Sequence, residues 1–560
     1  MDILELYRRL IDAPQDKKND VLSELKNIKP DYSINWVSDI FEKLFINEKK
    51  KAIIYTNIDT GIEKSFTYYE LYQHYNRFIN LLRDKNIKKG SNIYVILPAV
   101  LEQWYIMLGA LKAGYTIIPT AQNITEYELK FRFENDAPAV VVSDIANFEK
   151  IERSLKNNPV KLIVGELNSW ESIDKIYDFP DRAEPEKLYV DDVFIKYFTS
   201  GTTGMPKAVR HSAVLYPLGQ LSTVTAIGIK KDYIHVNLSS PGWAKFAWSS
   251  IFAPLCAGAT VLAIDYSGKL NSHKYLQTLD KYKVNSFCAP PTAWRQFIAQ
   301  KFDDIKLENL KETVSAGEPL NGEVISKWRS KFRTTIRDFY GQSESTAMVA
   351  NIPGADVIPG SMGKPLSLYN MKLLDENMDI ITEPDVVGDI AVQDYYHNYG
   401  LFLGYSHEGK NKEVFRNNFY LTGDRAYFDD EGNFYFVSRS DDVIKSSDYR
   451  VGPFEVESAI IQNSSVLESA VVGRPDPMKY QLIKAYVVLK EGELKNLQTA
   501  ESIYKSVKNI LPRYKLPGII EFTDELPKTI SGKIKRNELR KIEEEKVSNG
   551  ISGKFEFTVR

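Results

Sequence analysis

Two segments of this 560-residue chain combine glycine, hydroxyl side chains and lysine. Residues 197–207 read Tyr-Phe-Thr-Ser-Gly-Thr-Thr-Gly-Met-Pro-Lys, and residues 526–536 read Leu-Pro-Lys-Thr-Ile-Ser-Gly-Lys-Ile-Lys-Arg. Glycine lets backbone N–H groups approach an anion, the hydroxyls add further donors, and lysine neutralises negative charge. We therefore expect one phosphate site built from two domains, which indicates an enzyme.

The first of these segments follows an apolar strand predicted at residues 192–198. Its spacing does not match the Walker pattern, because no Gly-Lys-Ser/Thr closes the loop, so an ordinary P-loop NTPase is disfavoured. The alternative is that both segments have a purely structural role. The first segment would then be a glycine-rich turn between strands, and Lys528, Lys533 and Lys535 would form a solvated basic face.

The overall composition excludes several classes of function. Lys and Arg number 72 against 74 Asp and Glu, so the net charge of -2 supplies no basic field for nucleic acid. The N-terminus has acids where a signal peptide has basic residues, and no apolar run reaches the length of a membrane span. We expect a cytoplasmic protein with no membrane partner. Cys256 and Cys288 stand in apolar stretches and are predicted to be buried free thiols rather than a disulfide.

The apolar pattern predicts an α/β fold with a large N-terminal domain of α/β subdomains, a β-rich subdomain and a small mobile α+β C-terminal domain. Short runs that are apolar on both faces, such as residues 92–97 and 139–143, alternate with amphipathic stretches such as 100–114. Short alternating segments between 370 and 440 predict β-hairpins. The predicted limits are 1–440 for the N-terminal domain, 441–545 for the C-terminal domain and 546–560 for a tail.

Four further motifs accompany the two loops in a fixed order, at residues 316–319, 338–344, 420–424 and 439–450. Together the six resemble the motifs of the adenylate-forming superfamily, which includes acyl-CoA synthetases, luciferases and peptide-synthetase adenylation domains. Residues 242–245, 288–292 and 452–458 are most similar to AMP-forming medium-chain acyl-CoA synthetases. The resemblance spans almost the whole chain. It implies an ATP-dependent carboxylic acid:CoA ligase that forms an acyl-adenylate and pyrophosphate, then the thioester and AMP.

The resemblance assigns the nucleotide site residue by residue. Lys533, Glu344 and Lys207 are the implied catalytic residues, and Glu344 and Thr202 are the implied Mg²⁺ ligands, a role that suits hard oxygen donors. Tyr340 would stack on adenine, while Asp424 would accept hydrogen bonds from the ribose hydroxyls. The full implied ATP/AMP-binding set is Thr199, Ser200, Gly201, Thr202, Thr203, Gly204, Gly317, Glu318, Pro319, Asp338, Phe339, Tyr340, Gln342, Ser343, Asp424 and Arg439. Taken alone, Glu344 would read as a solvated acid, Tyr340 as a core aromatic and Asp424 as a turn acid.

The second half-reaction needs CoA, which the resemblance brings in through a domain rotation about Asp441. That rotation would move Lys533 away from the site. During adenylation its positive charge offsets the negative charge on pentavalent phosphorus. The implied CoA-binding residues are Gln122, Ser447, Asp448, Tyr449, Arg450, Lys479 and Lys508. The chain departs from its relatives at Asp448 and Tyr480, where they have glycine.

The acyl pocket is implied to comprise Trp243, Ala244, Lys245, Ala316 and Gly341. Acetate-specific relatives present tryptophan at the place of Gly341, so space is expected there for an acid of about C4 to C8, with each buried methylene worth about 0.8 kcal/mol. Lys245 would cap the pocket, donate to a hydroxyl on the substrate, or extend to solvent.

The implied substrates and cofactor are a small carboxylic acid, ATP, CoA and Mg²⁺. The sequence leaves open whether the protein forms a homodimer. Two other hypotheses remain: an adenylate-forming enzyme that uses another acceptor, and a silent nucleotide-binding regulator. The silent reading predicts the loss of Lys533, Glu344 or Asp424, and the chain retains all three.

Overall fold

The computed structural model describes residues 2–28, 33–199, 206–300, 304–396, 398–446, 449–477, 479–529 and 533–559. Packing divides the chain into two compact units. The first comprises Met1–Asn370 and Gln393–Phe419, and the second comprises Met371–Val392 and Tyr420–Arg560.

A nine-stranded sheet in the first unit carries the segments predicted to bind adenine and the acid. In sheet order its strands are Lys364–Pro365, Ala347–Ala350, Ile336–Gly341, Glu312–Ala316, Ser286–Ala289, Ile234–Asn237, Thr260–Asp265, Lys51–Asn57 and Glu63–Thr67. The inner pairs are parallel, because helices connect most of them, and antiparallel strands close both edges.

An eight-stranded sheet in the same unit carries the glycine-rich loop. In sheet order its strands are Gly404–Tyr405, Lys207–Ser212, Val193–Thr199, Thr116–Pro119, Asn92–Ile96, Val140–Asp144, Val160–Val164 and Glu171–Ser172. Val193–Thr199 and Lys207–Ser212 form an antiparallel pair, with Thr199 opposite Lys207. The loop therefore connects two neighbouring strands.

Helices cover these sheets. The α-helices of the first unit are Ile3–Asp12, Lys18–Ser23, Glu42–Phe45, Tyr68–Asp84, Glu102–Lys112, Glu126–Asn135, Phe148–Glu152, Leu215–Ile227, Ala244–Phe246, Ala253–Cys256, Ser272–Lys281, Pro291–Ile298, Gly322–Phe332 and Glu408–Val414. Shorter 3₁₀ turns lie at Gln15–Lys17, Glu24–Asn27 and Ile173–Asp178, and π-helical turns at Val37–Phe41 and Ala247–Phe252. Every residue of Leu215–Ile227 is buried, which its apolar composition favours.

The second unit contains two further sheets. In one, the strands Asn370–Leu374, Gly388–Gln393 and Phe419–Phe428 lie in that order, and Phe434–Arg439 pairs with the last. The other contains, in order, Tyr449–Val451, Ile444–Ser446, Tyr480–Leu489, Ile519–Thr523 and Glu556–Thr558, and Val466–Asp476 pairs with Tyr480–Leu489. The helices of this unit are Pro453–Ile461, Leu497–Lys508 and Arg536–Asn549, with a 3₁₀ turn at Arg513–Lys515.

The predicted α/β class with a large N-terminal and a small C-terminal part is confirmed. The packing division differs from the predicted limit at residue 440, since residues 371–392 and 420–440 group with the C-terminal unit. The antiparallel pair Phe419–Phe428 and Phe434–Arg439 partly explains this grouping. A β carbon on Gly452 would lie 2.6 Å from the Val437 carbonyl oxygen, and Phe436 contacts Phe454.

The predicted tail at residues 546–560 has regular structure. It contains the end of Arg536–Asn549 and the strand Glu556–Thr558, which pairs with Ile519–Thr523. Glu556 and Lys546 form ion pairs with residues outside this segment.

Cys256 and Cys288 are buried free thiols, as predicted. No helix in the described ranges is both long and apolar enough to cross a membrane.

Candidate active site

Glu344 is held by two contacts, and the carbonyl of the residue before it is held by a third. The Tyr405 hydroxyl donates to Glu344 Oε1 at 2.8 Å, and the Phe402 N–H donates to the Glu344 carbonyl at 2.9 Å. One residue earlier, the Ser343 carbonyl lies 2.7 Å from His211 Nε2. Burial lowers the pKa of His211 to about 4, so the ring is neutral at pH 7 and its Nε2–H donates to this carbonyl. The backbone and the carboxylate of Glu344 are therefore both fixed.

Lys207 lies at the start of the strand that pairs with Gly404–Tyr405. Burial and the nearby Lys410 lower the pKa of Lys207, while the carboxylates of Glu413 and Glu344 act in the opposite direction. The structure thus brings Lys207 and Glu344 into one electrostatic neighbourhood. The predicted loop residues Ser200, Gly201, Thr202, Thr203 and Gly204 lie outside the described residues, and Thr199 ends the preceding strand.

The predicted adenine segments lie on adjacent parallel strands. Ser315 is opposite Asp338 and Ala316 is opposite Phe339, so residues 317–319 leave the sheet beside Asp338. Gly317 has φ +106°, a conformation that favours glycine, which explains its place in the motif. Burial raises the pKa of Asp338 to about 8, so this carboxyl is largely neutral at pH 7. Phe339 is buried, while Glu318, Pro319, Tyr340, Gln342 and Ser343 are half-buried.

The predicted acyl-pocket segment begins at a close backbone contact. A β carbon on Gly242 would lie 2.4 Å from the Ala121 amide nitrogen, and Gly242 has φ +100°. Trp243 is half-buried and Ala244 is buried at the start of the helix that follows. Lys245 Nζ donates to the Ala316 carbonyl at 3.1 Å. The structure therefore places Lys245, which follows Ala244, in contact with Ala316.

The surroundings of Gly341 differ from the open space expected there. A β carbon on Gly341 would lie 2.5 Å from the Thr346 carbonyl oxygen and 3.1 Å from Trp248 Cη2. Trp248 belongs to the π-helical turn Ala247–Phe252, and such turns often occur at functional sites. A tryptophan at position 341 would require the backbone of Thr346 to move. Sequence reasoning missed Trp248, although its spacing of four residues from Ala244 within one helical stretch was an available signal.

In the second unit, Asp424 and Arg439 are opposite each other on paired strands. Arg439 Nε lies 3.3 Å from Asp424 Oδ1 and 3.6 Å from Asp441 Oδ1. Asp424 is buried, and its N–H donates to Thr422 Oγ1 at 3.1 Å. The structure thus unites the predicted ribose carboxylate, its arginine and the predicted hinge residue.

Lys533 lies on a short loop whose two ends are anchored. The Thr529 N–H donates to the Lys533 carbonyl at 2.7 Å, and the Lys533 N–H donates to Thr529 Oγ1 at 3.1 Å. Leu526 and Leu539 are buried in one apolar cluster. The following helix is held by Arg536, whose Nη2 lies 2.7 Å from Glu457 Oε2. Among the described residues, the exposed Lys533 ammonium has no ion-pair partner, whereas Lys528 pairs with Glu468. Lys533 therefore presents its charge to solvent.

The predicted CoA-binding residues are divided between the units. Gln122, in the first unit, donates to Asp144 Oδ2 at 2.6 Å. Tyr449, Arg450, Lys479 and Lys508 are exposed residues of the second unit, and the Tyr449 ring stacks on Tyr514. Ser447 and Asp448 lie outside the described residues. Tyr480 has φ 65°, which explains physically why glycine suits this position.

Comparison with known proteins identifies the family. The model of the AMP-binding enzyme family matches residues 45–406, and that of the AMP-binding enzyme C-terminal domain matches residues 455–533. The chain belongs to the AMP-binding enzyme family. It is 48% identical over 562 residues to 4-hydroxybutyrate--CoA ligase 1 of Metallosphaera sedula, covering 99% of both chains. It is 37% identical over 546 residues to the mitochondrial acyl-coenzyme A synthetase ACSM3 of Rattus norvegicus, covering 93% of each.

A solved structure supports the fold of this family member. The anthranilate CoA ligase AuaEII in complex with anthranoyl-AMP superposes with a TM-score of 0.83 at 24% identity, covering 93% of this chain and 99% of that one. The sequence-based prediction of an AMP-forming acyl-CoA ligase is confirmed, with ATP and CoA as substrates.

Tyr405→Phe should weaken the use of ATP by this ligase. The change removes the hydroxyl that holds Glu344 Oε1, and a hydrogen bond to a charged group contributes about 1.5–3 kcal/mol. We expect kcat/KM for ATP in pyrophosphate exchange to fall about tenfold or more, and ATP binding measured by calorimetry to require more Mg²⁺.

Tyr55→Phe is the matched control, because its hydroxyl also donates to a carboxylate at 2.8 Å, that of Asp265. This control should keep the wild-type dependence on Mg²⁺. An unchanged Mg²⁺ dependence in Tyr405→Phe would show that the hydroxyl does not orient Glu344.

Proposed function

We propose that the acid activated by this ligase has about four or five carbons, the short end of the expected range of about C4 to C8, and carries a hydroxyl group. The observation that carries the proposal is the contact between Trp248 and the Gly341 position, 3.1 Å from Cη2 to a β carbon there. The indole bounds the space next to Gly341, which favours the short end of the range. The 48% identity to a 4-hydroxybutyrate--CoA ligase supports the hydroxyl group.

The first half-reaction would proceed by attack of the acid's carboxylate oxygen on the α-phosphorus of ATP, with pyrophosphate leaving. Lys207 would bind phosphate oxygens, and Lys533 would offset the negative charge of the pentavalent phosphorus. Asp424 would accept hydrogen bonds from the ribose, with Arg439 supporting its orientation at 3.3 Å. The neutral Asp338 would lie beside the adenine.

A magnesium ion fits the carboxylate of Glu344, because this hard oxygen ligand is held in place by Tyr405 at 2.8 Å. Thr202 is proposed as its second protein ligand. When bound, the ion would neutralise phosphate charge.

In the second half-reaction the CoA thiolate would attack the acyl carbonyl, and AMP would leave. Gln122, Tyr449, Arg450, Lys479 and Lys508 are proposed to contact CoA, together with Ser447 and Asp448, and Asp441 is proposed as the hinge. Cytoplasmic location and homodimer formation stay predictions from the sequence.

A panel of acids tests the proposed substrate class. With ATP and CoA, we expect AMP release to be fastest with acids of four or five carbons and to be at least about tenfold slower with acetate and octanoate, since each buried methylene contributes about 0.8 kcal/mol until the wall is reached. Omitting CoA should stop turnover after one equivalent of adenylate. A maximum at octanoate would contradict the proposed short pocket, and AMP release without CoA would indicate another acceptor.

A further inference from the structure

We propose that Trp248, Gln220 and Tyr216 form a hydroxyl-recognition subsite at the wall of the acyl pocket, which binds the terminal hydroxyl of a short ω-hydroxy acid. This inference rests on the proposed function and names the chemistry by which that same site would select its substrate.

Trp248 places a polar edge at the pocket wall. The indole carbon Cη2 lies against Gly341, while Nε1 of the same ring is buried and, within the described part of the chain, has no hydrogen-bond acceptor. An indole N–H can only donate. Leaving such a group buried without an acceptor is costly, and each one in a native structure calls for an explanation.

Gln220 supplies a second donor of the same kind. This fully buried residue of Leu215–Ile227 accepts from Thr223 Oγ1 through its Oε1 at 3.0 Å, which fixes the orientation of the amide. Its Nε2 is buried and has no acceptor among the described residues. The amide nitrogen therefore offers N–H groups that the protein leaves unused.

Tyr216 brings the two donors to one place. Gln220 follows Tyr216 by four residues on the helix Leu215–Ile227, so the two side chains lie on one helix face. Burial raises the pKa of the Tyr216 hydroxyl, while the polar groups of Tyr197, Trp248 and Gln220 act against that rise. The Tyr216 and Tyr197 hydroxyls already form a hydrogen bond at 2.9 Å. The Trp248 and Gln220 nitrogens do not reach hydrogen-bond geometry with Tyr216, so an acceptor is missing from this group.

An alcohol oxygen supplies what is missing. It has two acceptor lone pairs, one for Trp248 Nε1–H and one for the Gln220 amide, and its own hydrogen can be donated to the Tyr216 oxygen. A methyl group in the same place would leave both donors unsatisfied. A site built around a hydroxyl rejects the analogue that lacks it more strongly than an apolar pocket rejects a change in size.

The charge of the surroundings favours an alcohol over a second carboxylate. His211 packs against Tyr216 with ring centroids 4.4 Å apart, and burial lowers the pKa of His211 to about 4, so the ring is neutral at pH 7. The three subsite residues are also uncharged. A buried carboxylate would lack a counter-charge there.

Lys245 is the other residue able to bind a substrate hydroxyl. Its ammonium donates to the Ala316 carbonyl at 3.1 Å, on the adjacent strand that leads to the adenine segment. A hydroxyl near the carboxylate of the acid would suit Lys245, whereas a terminal hydroxyl suits Trp248 and Gln220. The two possibilities predict that different substitutions abolish the preference for the hydroxy acid.

The test compares 4-hydroxybutyrate with pentanoate, which differ only by hydroxyl against methyl at the chain end. We expect the wild-type ligase to have a kcat/KM for the hydroxy acid at least about tenfold above that for pentanoate. Gln220→Leu removes the amide donors with little change in volume, whereas Trp248→Phe removes the indole donor and also opens space at the pocket wall. Each should lower this ratio about tenfold, in part by improving pentanoate. Because both acids are measured on one preparation, partial unfolding does not affect the ratio.

Gln103→Leu is the matched control. Gln103 is also a buried glutamine, but its amide donates to the Leu97 carbonyl at 2.9 Å, so it should leave the ratio unchanged. Wild-type ratios in both Gln220→Leu and Trp248→Phe would overturn the subsite while leaving the short-acid proposal intact. The subsite would also be overturned if the preference for 4-hydroxybutyrate over pentanoate were lost in Lys245→Met but kept in Gln220→Leu and Trp248→Phe. If neither acid yields a CoA thioester, the proposed function itself fails.

Discussion

Lys533→Ala should abolish formation of the acyl-adenylate but leave a pre-made acyl-adenylate able to acylate CoA. Only the first transition state carries the extra negative charge of pentavalent phosphorus, and removing one positioned electrostatic contact of this kind costs about a hundred- to a thousandfold in rate. Pyrophosphate exchange reports the first step. A single-turnover assay with synthetic acyl-adenylate and CoA reports the second.

The structure supplies a matched control on the same loop. Lys528 Nζ lies 2.7 Å from Glu468 Oε2, whereas Lys533 has no ion-pair partner among the described residues. Exposed ion pairs contribute little, so Lys528→Ala should keep both half-reactions near wild-type rates. Lys533→Gln, which removes the charge as acetylation does, should resemble Lys533→Ala. Equal loss of both half-reactions in Lys533→Ala would show that Lys533 does not act specifically in adenylate formation.

The repeated strands and the ordered motifs were readable from the sequence because both are local signals. A buried parallel strand needs a short run that is apolar on both faces, and residues 93–96 and 140–142 satisfy that rule without reference to the rest of the chain. The glycine-rich loop likewise follows its strand directly, at Val193–Thr199. Local patterns of this kind predict where a strand ends and which motif follows it.

The contacts that hold the site arise from long-range pairing and leave no local signal. Tyr405 reaches Glu344 because Gly404–Tyr405 pairs with Arg210 and Val209, about two hundred residues earlier. Trp248 meets Gly341 only after two separate segments pack together. The role of Gly341 itself came from a resemblance, which says what relatives place there and not what fills the space in this chain.

Charge patterns were the least informative part of the sequence. The last fifteen residues are predicted to be a tail, yet the Glu556 carboxylate lies 2.7 Å from Lys484 Nζ. Lys484 is fully buried, and its ammonium also lies 2.6 Å from Glu521 and 2.7 Å from Glu543. A sequence does not show which charges will find partners inside a domain. Three carboxylates so close together resemble a metal site, but the lysine ammonium is already bound to all three.

Lys484→Met should destabilise the C-terminal unit by about 3–5 kcal/mol, because it removes the buried ammonium and leaves three clustered carboxylates with only Arg474 and Lys546 as counter-charges. Glu543 is fully buried on the helix Arg536–Asn549, and Glu556 lies on the last strand, so both elements should loosen in the full-length protein. Urea unfolding followed by hydrogen exchange in these elements measures the loss. Lys528→Met, which removes an exposed lysine, should cost less than about 1 kcal/mol.

The stability of the wild type and that of Lys484→Met should change in opposite directions as the pH falls. Burial alone would raise the pKa of Glu556, but Lys484, the Gly553 N–H and Arg474 outweigh it and lower the pKa to about 2. In the wild type, the stability contributed by Glu556 is therefore present above its unfolded pKa of about 4.3 and is lost as the pH falls toward 2. In Lys484→Met the Glu556 carboxylate loses the partner that lowers its pKa most and becomes easier to protonate, so acidification from pH 7 to pH 5 should recover stability. Adding Glu543→Gln to this variant should also recover stability at pH 7, since it removes the excess negative charge of a cluster whose remaining cations are Arg474 and Lys546. If Lys484→Met unfolds at the wild-type urea concentration, with the wild-type response to acid, the buried ion cluster does not hold the C-terminal strand and helix in place.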